Sequence, residues 1–172
     1  ENELREYAQS IIRIGVNLRP GQCLLIGTGP GTYEFARLTA DEAYRAGARY
    51  VHIEVIDSYL LRSRVDNSSR QNLQYVPSYT HAINNEMLAH DWARIRIEAN
   101  EELEALAGAD ADAIETVTRT QRQYRAETQN HLMNDMHPWS VLAAPGPQWA
   151  ARTLGQPVGK ESLQRFWQHL RS

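Results

Sequence analysis

Apolar positions along the chain recur with two periods, one typical of helices and the other typical of strands. A stripe at helical spacing opens the sequence and consists of Leu4, Tyr7, Ala8, Ile11 and Ile12. After the turn at Pro20-Gly21, residues 23–26 form a short apolar run, which is typical of a strand buried on both faces. Residues 33–46 return to helical spacing, and Gly47 stands where a left-handed helix cap is needed.

The rest of the chain continues this alternation. Its β-branched residues predict a second strand over residues 50–56. Two helical pieces are predicted within residues 58–90, with a break near residues 67–69 and a restart at Pro77. The later predicted elements are a helix over residues 109–132, a strand over 139–144, a short helix over 148–154 and a final amphipathic helix that carries Leu163, Phe166, Trp167 and Leu170.

A third strand, predicted over residues 92–99, has the clearest alternation. Its apolar face carries Ala93, Ile95 and Ile97, and its polar face carries Arg94, Arg96 and Glu98. This pattern indicates either an edge position in the sheet or a face turned towards solvent or a partner.

Strands separated by helices favour parallel pairing through βαβ crossovers. The sequence therefore predicts a single α/β domain over residues 1–172, built as a three-layer sandwich around a mainly parallel sheet of about four or five strands. A chain of 172 residues can bury roughly 70% of the surface that its unfolded form exposes. The order of the strands in the sheet does not follow from the pattern.

Charge and composition limit the kinds of molecule that the chain is expected to bind and the compartment in which it is expected to work. The formal net charge is −3, which does not favour a nucleic-acid surface. Arg119, Arg122 and Arg125 recur at helical spacing among glutamates, as is typical of a solvated helix face. No apolar run approaches the ~20 residues that a membrane helix needs. The single Cys23 permits no internal disulfide, which fits a reducing compartment, and its place in an apolar run predicts a small buried residue.

The glycine-rich segment Gly27-Thr28-Gly29-Pro30-Gly31 lies between the first strand and its helix. Such turns can bind phosphates through backbone N–H groups, with Glu54 or Asp57 as a ribose acceptor. Thr32, however, stands where the dinucleotide fingerprint has its third glycine, and Pro30 lacks an N–H. The segment is better interpreted as a tight turn, and nucleotide binding is the alternative.

Two further clusters have side chains suited to catalysis or metal binding. His52 and Glu54 share one face of a strand, but a zinc deaminase would also need a Pro-Cys-x-x-Cys motif, which one cysteine cannot supply. His131, Asp135 and His137 lie near a predicted helix end, which scatters their geometry. We therefore assign no catalytic, cofactor-binding or metal-binding residue within the chain.

Several segments in a fixed order resemble a known family. They are residues 17–22 (NLRPGQ), 42–54 (EAYRAGARYVHIE), 138–141 (PWSV) and 147–150 (PQWA). In this order and spacing they are similar to the N-terminal domain of the thermophilic metallo-aminopeptidase family, which includes aminopeptidase T and aminopeptidase S. The glycine-proline-glycine turn at residues 29–31 departs from the usual pattern, but the likeness covers nearly the whole chain.

The resemblance implies an enzyme that removes N-terminal residues from short peptides with two divalent metal ions, often zinc, cobalt or manganese. It also implies a cytoplasmic homodimer with an enclosed active site. The family's metal ligands belong to a second, C-terminal domain, so none is carried over onto this chain, which is expected to be inactive alone. That domain is expected to dock near Trp149 and the polar face of Arg94, Arg96 and Glu98. A free-standing interaction module is the other alternative.

Overall fold

Four parallel strands form the central sheet in the part of the chain that the structure describes. The computed structural model describes residues 2–99, 101–134 and 136–170. The strands are β1 (Cys23–Thr28), β2 (Tyr50–Val55), β3 (Ala93–Glu98) and β4 (Trp139–Ala143), and their order in the sheet is β2-β1-β3-β4. The first two strands in the chain are therefore neighbours, and β3 pairs with the other side of β1.

Helices flank the sheet on both faces. Those in the described residues are α1 (Asn2–Ser10), α2 (Tyr33–Arg45), α3 (Ser58–Asn67), α4 (Arg70–Leu73), α5 (Ser78–Ala89), α6 (Ala111–Met133), α7 (Pro147–Leu154) and α8 (Lys160–His169). A π-helical turn, Ile11–Gly15, extends α1, and a 3₁₀ turn, Pro30–Thr32, precedes α2. The architecture confirms the predicted three-layer α/β sandwich with a parallel sheet.

The main hydrophobic core lies between one face of the sheet and the helices α1 and α2. The buried strand residues of this face are Leu24, Ile26, Val51, Ala93, Ile95, Ile97 and Leu142, and Ala144 joins them directly after β4. Leu25 of β1 points to the other face and is also buried, so the prediction of a strand buried on both faces is confirmed. The apolar residues of β3 lie deep in this core, since Ala93 and Ile95 are 0% exposed.

The opposite face of the sheet is polar and lies beneath α5 and α6. It carries His52 and Glu54 from β2 and Arg94 and Arg96 from β3. The apolar contacts on this side are fewer, and a second small cluster joins α3, α4 and α6 through Val65, Leu73, Ala113 and Val117. A sheet with one apolar and one polar face leaves room for a cleft on its polar side.

The final two helices pack on the body of the domain. The rings of Trp149 and Phe166 meet edge to face at 5.7 Å between centroids, and Trp167 lies 5.7 Å from Phe35 and 6.1 Å from Tyr7. The apolar stripe predicted for the last helix is therefore largely covered by the domain itself, although Leu170 remains 54% exposed. Within the described residues, no helix is both long enough and apolar enough to cross a membrane.

Two predictions about the middle of the chain are corrected. β3 is not an edge strand, because it pairs with β1 on one side and with β4 on the other. Its polar face instead lies beneath α5 and α6, where Arg94 and Arg96 are half-buried rather than open to solvent. Residues 58–90 contain three helices rather than two, because Ser69 caps the extra four-residue helix Arg70–Leu73 through a bond from the Asn72 backbone N–H.

Candidate functional site

The carboxyl ends of β1 and β3 mark the position where doubly wound sheets usually bind ligands. The chain leaves β1 towards β2 and then crosses back to β3 on the other side, so the direction of the connections reverses at β1. Ligands of such folds bind in the crevice outside the carboxyl ends of the strands at this reversal. The segment Gly27–Gly31 lies there, because it includes the end of β1 and the turn that follows it.

A carboxylate of the protein itself occupies this position. Glu101 is only 7% exposed, and it follows β3 in the chain. Its Oε2 accepts a hydrogen bond from the backbone N–H of Gln148 at 2.9 Å, and its Oε1 accepts one from that of Trp149 at 2.8 Å. Both N–H groups belong to the first turn of α7, where helix donors lack partners within the helix. Glu101 thus does for α7 what a bound anion does at other helix N-termini.

Two glycines make room for the Glu101 side chain. A Cβ at Gly31 would lie 2.8 Å from Cγ and Oε2 of Glu101, and a Cβ at Gly146 would lie 2.7 Å from both carboxylate oxygens. The space beside Gly31 is therefore filled by the Glu101 side chain and is not open to a phosphate. The two proposed ribose acceptors are also engaged, since Glu54 pairs with Arg125 and Asp57 caps α3. This geometry argues against the nucleotide-binding alternative.

A second site lies on the polar face of the sheet, between the strands and the helices α5 and α6. We call this cavity of about 290 Å³ the arginine cleft, and its main polar residues are His52, Glu54, Arg94, Arg125 and Thr128. Arg125 Nη2 donates to Glu54 Oε1 at 2.7 Å, which ties α6 to β2. Burial lowers the pKa of the Arg94 guanidinium below its ordinary value, and the charge of Arg125 lowers it further.

Two predictions made from the sequence are wrong for residues on this face of the sheet. Arg119 and Arg122 are exposed, as expected for a solvated helix face, but Arg125 turns inward and pairs with Glu54. Cys23 is half-buried rather than buried. It lines a neighbouring cavity of about 670 Å³ together with His52 and Tyr79, on the same face of the sheet.

The histidines near the end of α6 lie side by side. The rings of His131 and His137 stack at 5.6 Å, and His137 Nδ1 lies 2.9 Å from Asp91 Oδ1. The third predicted member, Asp135, lies outside the described residues. Over 2–99, 101–134 and 136–170, no three His, Cys, Asp or Glu side chains are grouped so as to hold a metal ion. The described side chains therefore do not fit the metal pair that the family resemblance implies.

Comparison with known sequences decides the family. The sequence model of the thermophilic metalloprotease family (M29) matches residues 1–172. The chain belongs to this family. The resemblance noted from the ordered segments at residues 17–22, 42–54, 138–141 and 147–150 is thereby confirmed.

Named relatives of this M29 chain are aminopeptidases. It is 28% identical over 169 residues to aminopeptidase 2 of Geobacillus stearothermophilus, which covers 98% of this chain and 40% of the relative. It is 24% identical over 165 residues to aminopeptidase T of Thermus aquaticus, covering 96% of this chain and 40% of the relative. The chain thus spans about 40% of the length of these curated relatives.

A solved structure has the same fold. Wild-type AmpT from Thermus thermophilus matches with a TM-score of 0.84 and 23% identity, over 97% of this M29 chain and 42% of that structure. At this identity the match shows the fold. Sequence reasoning missed Glu101 entirely, because its partners lie in remote segments and no local motif marks them.

Proposed function

We propose that this chain is the N-terminal, non-catalytic domain of a metal-dependent aminopeptidase that removes N-terminal residues from short peptides. The proposal rests on the share of the relatives' length that this chain matches. The family match extends over residues 1–172, yet the chain corresponds to only 40% of aminopeptidase 2 and aminopeptidase T. Its role is to help enclose the active-site cavity and so to restrict substrates to short peptides.

The catalytic metals belong, in this proposal, to a C-terminal domain. Two divalent ions, zinc, cobalt or manganese, supply Lewis-acid activation of the peptide carbonyl and of the attacking water when they are bound. The described residues of this chain include no cluster of three or more His, Cys, Asp or Glu side chains that could hold a metal ion. In this proposal the chain contributes a rigid wall of the active-site cavity. The wall is built on the sheet, and the bonds of Glu101 to α7 hold it at the carboxyl ends of the strands.

The outer part of the polar sheet face is the surface that we assign to contact with the C-terminal domain. β4 is an edge strand, and on this face Trp139 is 38% exposed and Val141 is 54% exposed. Glu98, the neighbour of β4 on β3, is exposed as well. Surfaces of this kind, apolar and rimmed by polar groups, are typical of contacts with another domain. We further propose that the intact enzyme is a cytoplasmic homodimer that binds neither nucleic acid nor membrane.

Activity and metal content of the chain test the catalytic part of the proposal. The intact enzyme supplied with zinc, cobalt or manganese is expected to hydrolyse amino-acid anilides. The 172-residue chain under the same conditions is expected to show no turnover and, after dialysis, no stoichiometric metal. Turnover by this chain, or one tightly held zinc or cobalt that depends on His52 or His131, would show that the active site has been misplaced.

The docking surface is tested by Val141→Asp in the intact enzyme. The substitution places a charge where the other domain is proposed to pack, so we expect a loss of about 2 kcal/mol in domain association and a lower melting temperature. In the 172-residue chain the same change should alter stability by less than about 0.5 kcal/mol, because Val141 is exposed there.

The matched control is Val158→Asp, since Val158 is 58% exposed and belongs to the loop between α7 and α8 rather than to β4. It should have little effect in either form of the protein. Equal melting temperatures for the Val141 and Val158 variants of the intact enzyme would place the contact elsewhere.

A further inference from the structure

Arg94 is a half-buried cation on the polar face of the sheet. Its side chain leaves the centre of the sheet on β3 and enters the arginine cleft. Among the described residues, no carboxylate or carbonyl pairs directly with its guanidinium, although the charge of Glu54 favours its ionised form. The next arginine on this face, Arg96, forms an ion pair with Glu98, with 2.8 Å between Nε and Oε1. A guanidinium removed from water without such a partner is unfavourable.

Thr128 adds a second unpaired group to the same cleft. It is only 7% exposed, and its hydroxyl has no hydrogen-bond partner among the residues that the structure describes. The other threonines of α6 bond back to the carbonyl four residues earlier, as Thr116, Thr118 and Thr120 do at 2.7–2.9 Å. For Thr128 the corresponding carbonyl, that of Tyr124, accepts a bond from Asn84 Nδ2 at 3.2 Å. The Thr128 hydroxyl oxygen is unpaired and buried, and its residue lines the cavity.

The remaining walls of the cleft define what fits beside these two donors. Leu25, Ile83 and Met87 supply apolar surface, and Tyr79, 65% exposed, lies at the rim. The volume of about 290 Å³ admits a small organic molecule. The cleft thus combines an unpaired cation and an unpaired hydroxyl with an apolar wall.

We propose that the arginine cleft binds the carboxylate of a small organic acid, with the carboxylate on Arg94 and Thr128 and its apolar part against α5. A carboxylate matches the planar, two-pronged donor set of a guanidinium. The Glu54 carboxylate, which lines the same cleft, repels a doubly charged phosphate more strongly than a singly charged acid. The apolar wall also favours an organic anion over an inorganic one.

Titration calorimetry of the 172-residue chain with 3-phenylpropionate tests the proposal. We expect saturable binding of one molecule per chain, and binding at least about tenfold weaker for the neutral 3-phenylpropan-1-ol, which lacks the charge. Arg94→Met should weaken binding about 10- to 100-fold, and the nearly isosteric Thr128→Val about 3- to 10-fold. Arg96→Met and Thr118→Val are the matched controls and should leave the affinity unchanged.

Stability separates a binding role for Arg94 from a structural one. Arg94→Met should unfold at a temperature no lower than the unsubstituted chain, because it removes a cation that has no partner. If that variant does not fold, Thr128→Val still provides the test. Three results would each overturn the proposal. The first is that the unsubstituted chain shows no saturable binding of 3-phenylpropionate, and the second is that the Arg94→Met and Thr128→Val variants both bind it as tightly as the unsubstituted chain does. The third result is that inorganic phosphate binds the unsubstituted chain more tightly than 3-phenylpropionate does.

The same titration distinguishes two sources of the carboxylate. A free acid should bind the 172-residue chain and the intact enzyme alike. Binding to the 172-residue chain alone would mean that an Asp or Glu side chain of the remaining protein fills the cleft. This last comparison rests on the proposed function, whereas the titrations of the 172-residue chain do not.

Discussion

Glu101→Ala is expected to lower the free energy of unfolding by about 3 kcal/mol, because it removes a buried charged acceptor of two hydrogen bonds. The N–H groups of Gln148 and Trp149 would lose this acceptor at the start of α7, where the helix itself offers them none. The helix dipole would lose a compensating negative charge as well. Urea unfolding of the 172-residue chain, followed by circular dichroism, measures the change.

The control for this substitution is Glu104→Ala, in the same connection between β3 and α6. Glu104 is exposed, so its replacement should change stability by less than about 0.5 kcal/mol. A Glu101→Ala chain as stable as the Glu104→Ala chain would show that water replaces the carboxylate at the helix N-terminus without loss.

Gly146→Ala is expected to cost a similar amount, about 3 kcal/mol, although it adds only a methyl group. The backbone of Gly146, with φ of −102°, is open to any residue, so the conformation itself imposes no strain. The cost arises because the new Cβ would overlap the Glu101 carboxylate. To escape the overlap, Glu101 must move and give up its bonds to α7.

A double-mutant cycle isolates this cause. In the Glu101→Ala background, Gly146→Ala should cost less than about 1 kcal/mol, since the side chain that it overlaps is gone. Gly159→Ala is the matched control, because Gly159 is also the residue before a helix and a Cβ there would meet nothing within 4 Å. Additive effects of the Glu101 and Gly146 substitutions would refute the steric explanation.

Local patterns were sufficient to predict most of the elements. The apolar run at residues 23–26 became β1 (Cys23–Thr28), and the helical spacing at residues 33–46 became α2 (Tyr33–Arg45). Gly47, with φ of +93°, adopts the left-handed conformation expected of it. These features depend on neighbours within a few residues, which the sequence displays directly.

Features that depend on remote segments were not predicted. The alternation of β3 is the same for an edge strand and for a central strand above a polar cleft, and only its pairing with β4 distinguishes the two. Arg125 has the spacing of a solvated residue, but it pairs with Glu54 across 71 positions of the chain. Glu101 needs both Gly31 and Gly146 beside it, and nothing in the local sequence of any of the three indicates the others.

The order of the strands also bears on how the chain folds while it is being synthesised. β1, β2 and β3 leave the ribosome first and can pair in one sheet, because domains fold from the N-terminal side as they emerge. Until β4 appears, the outer edge of β3 stays unpaired, and Glu101 has no helix to bind. A nascent chain that pauses between β3 and β4 therefore offers both an open sheet edge and an unpartnered acid, which is the stage at which a chaperone would be most useful.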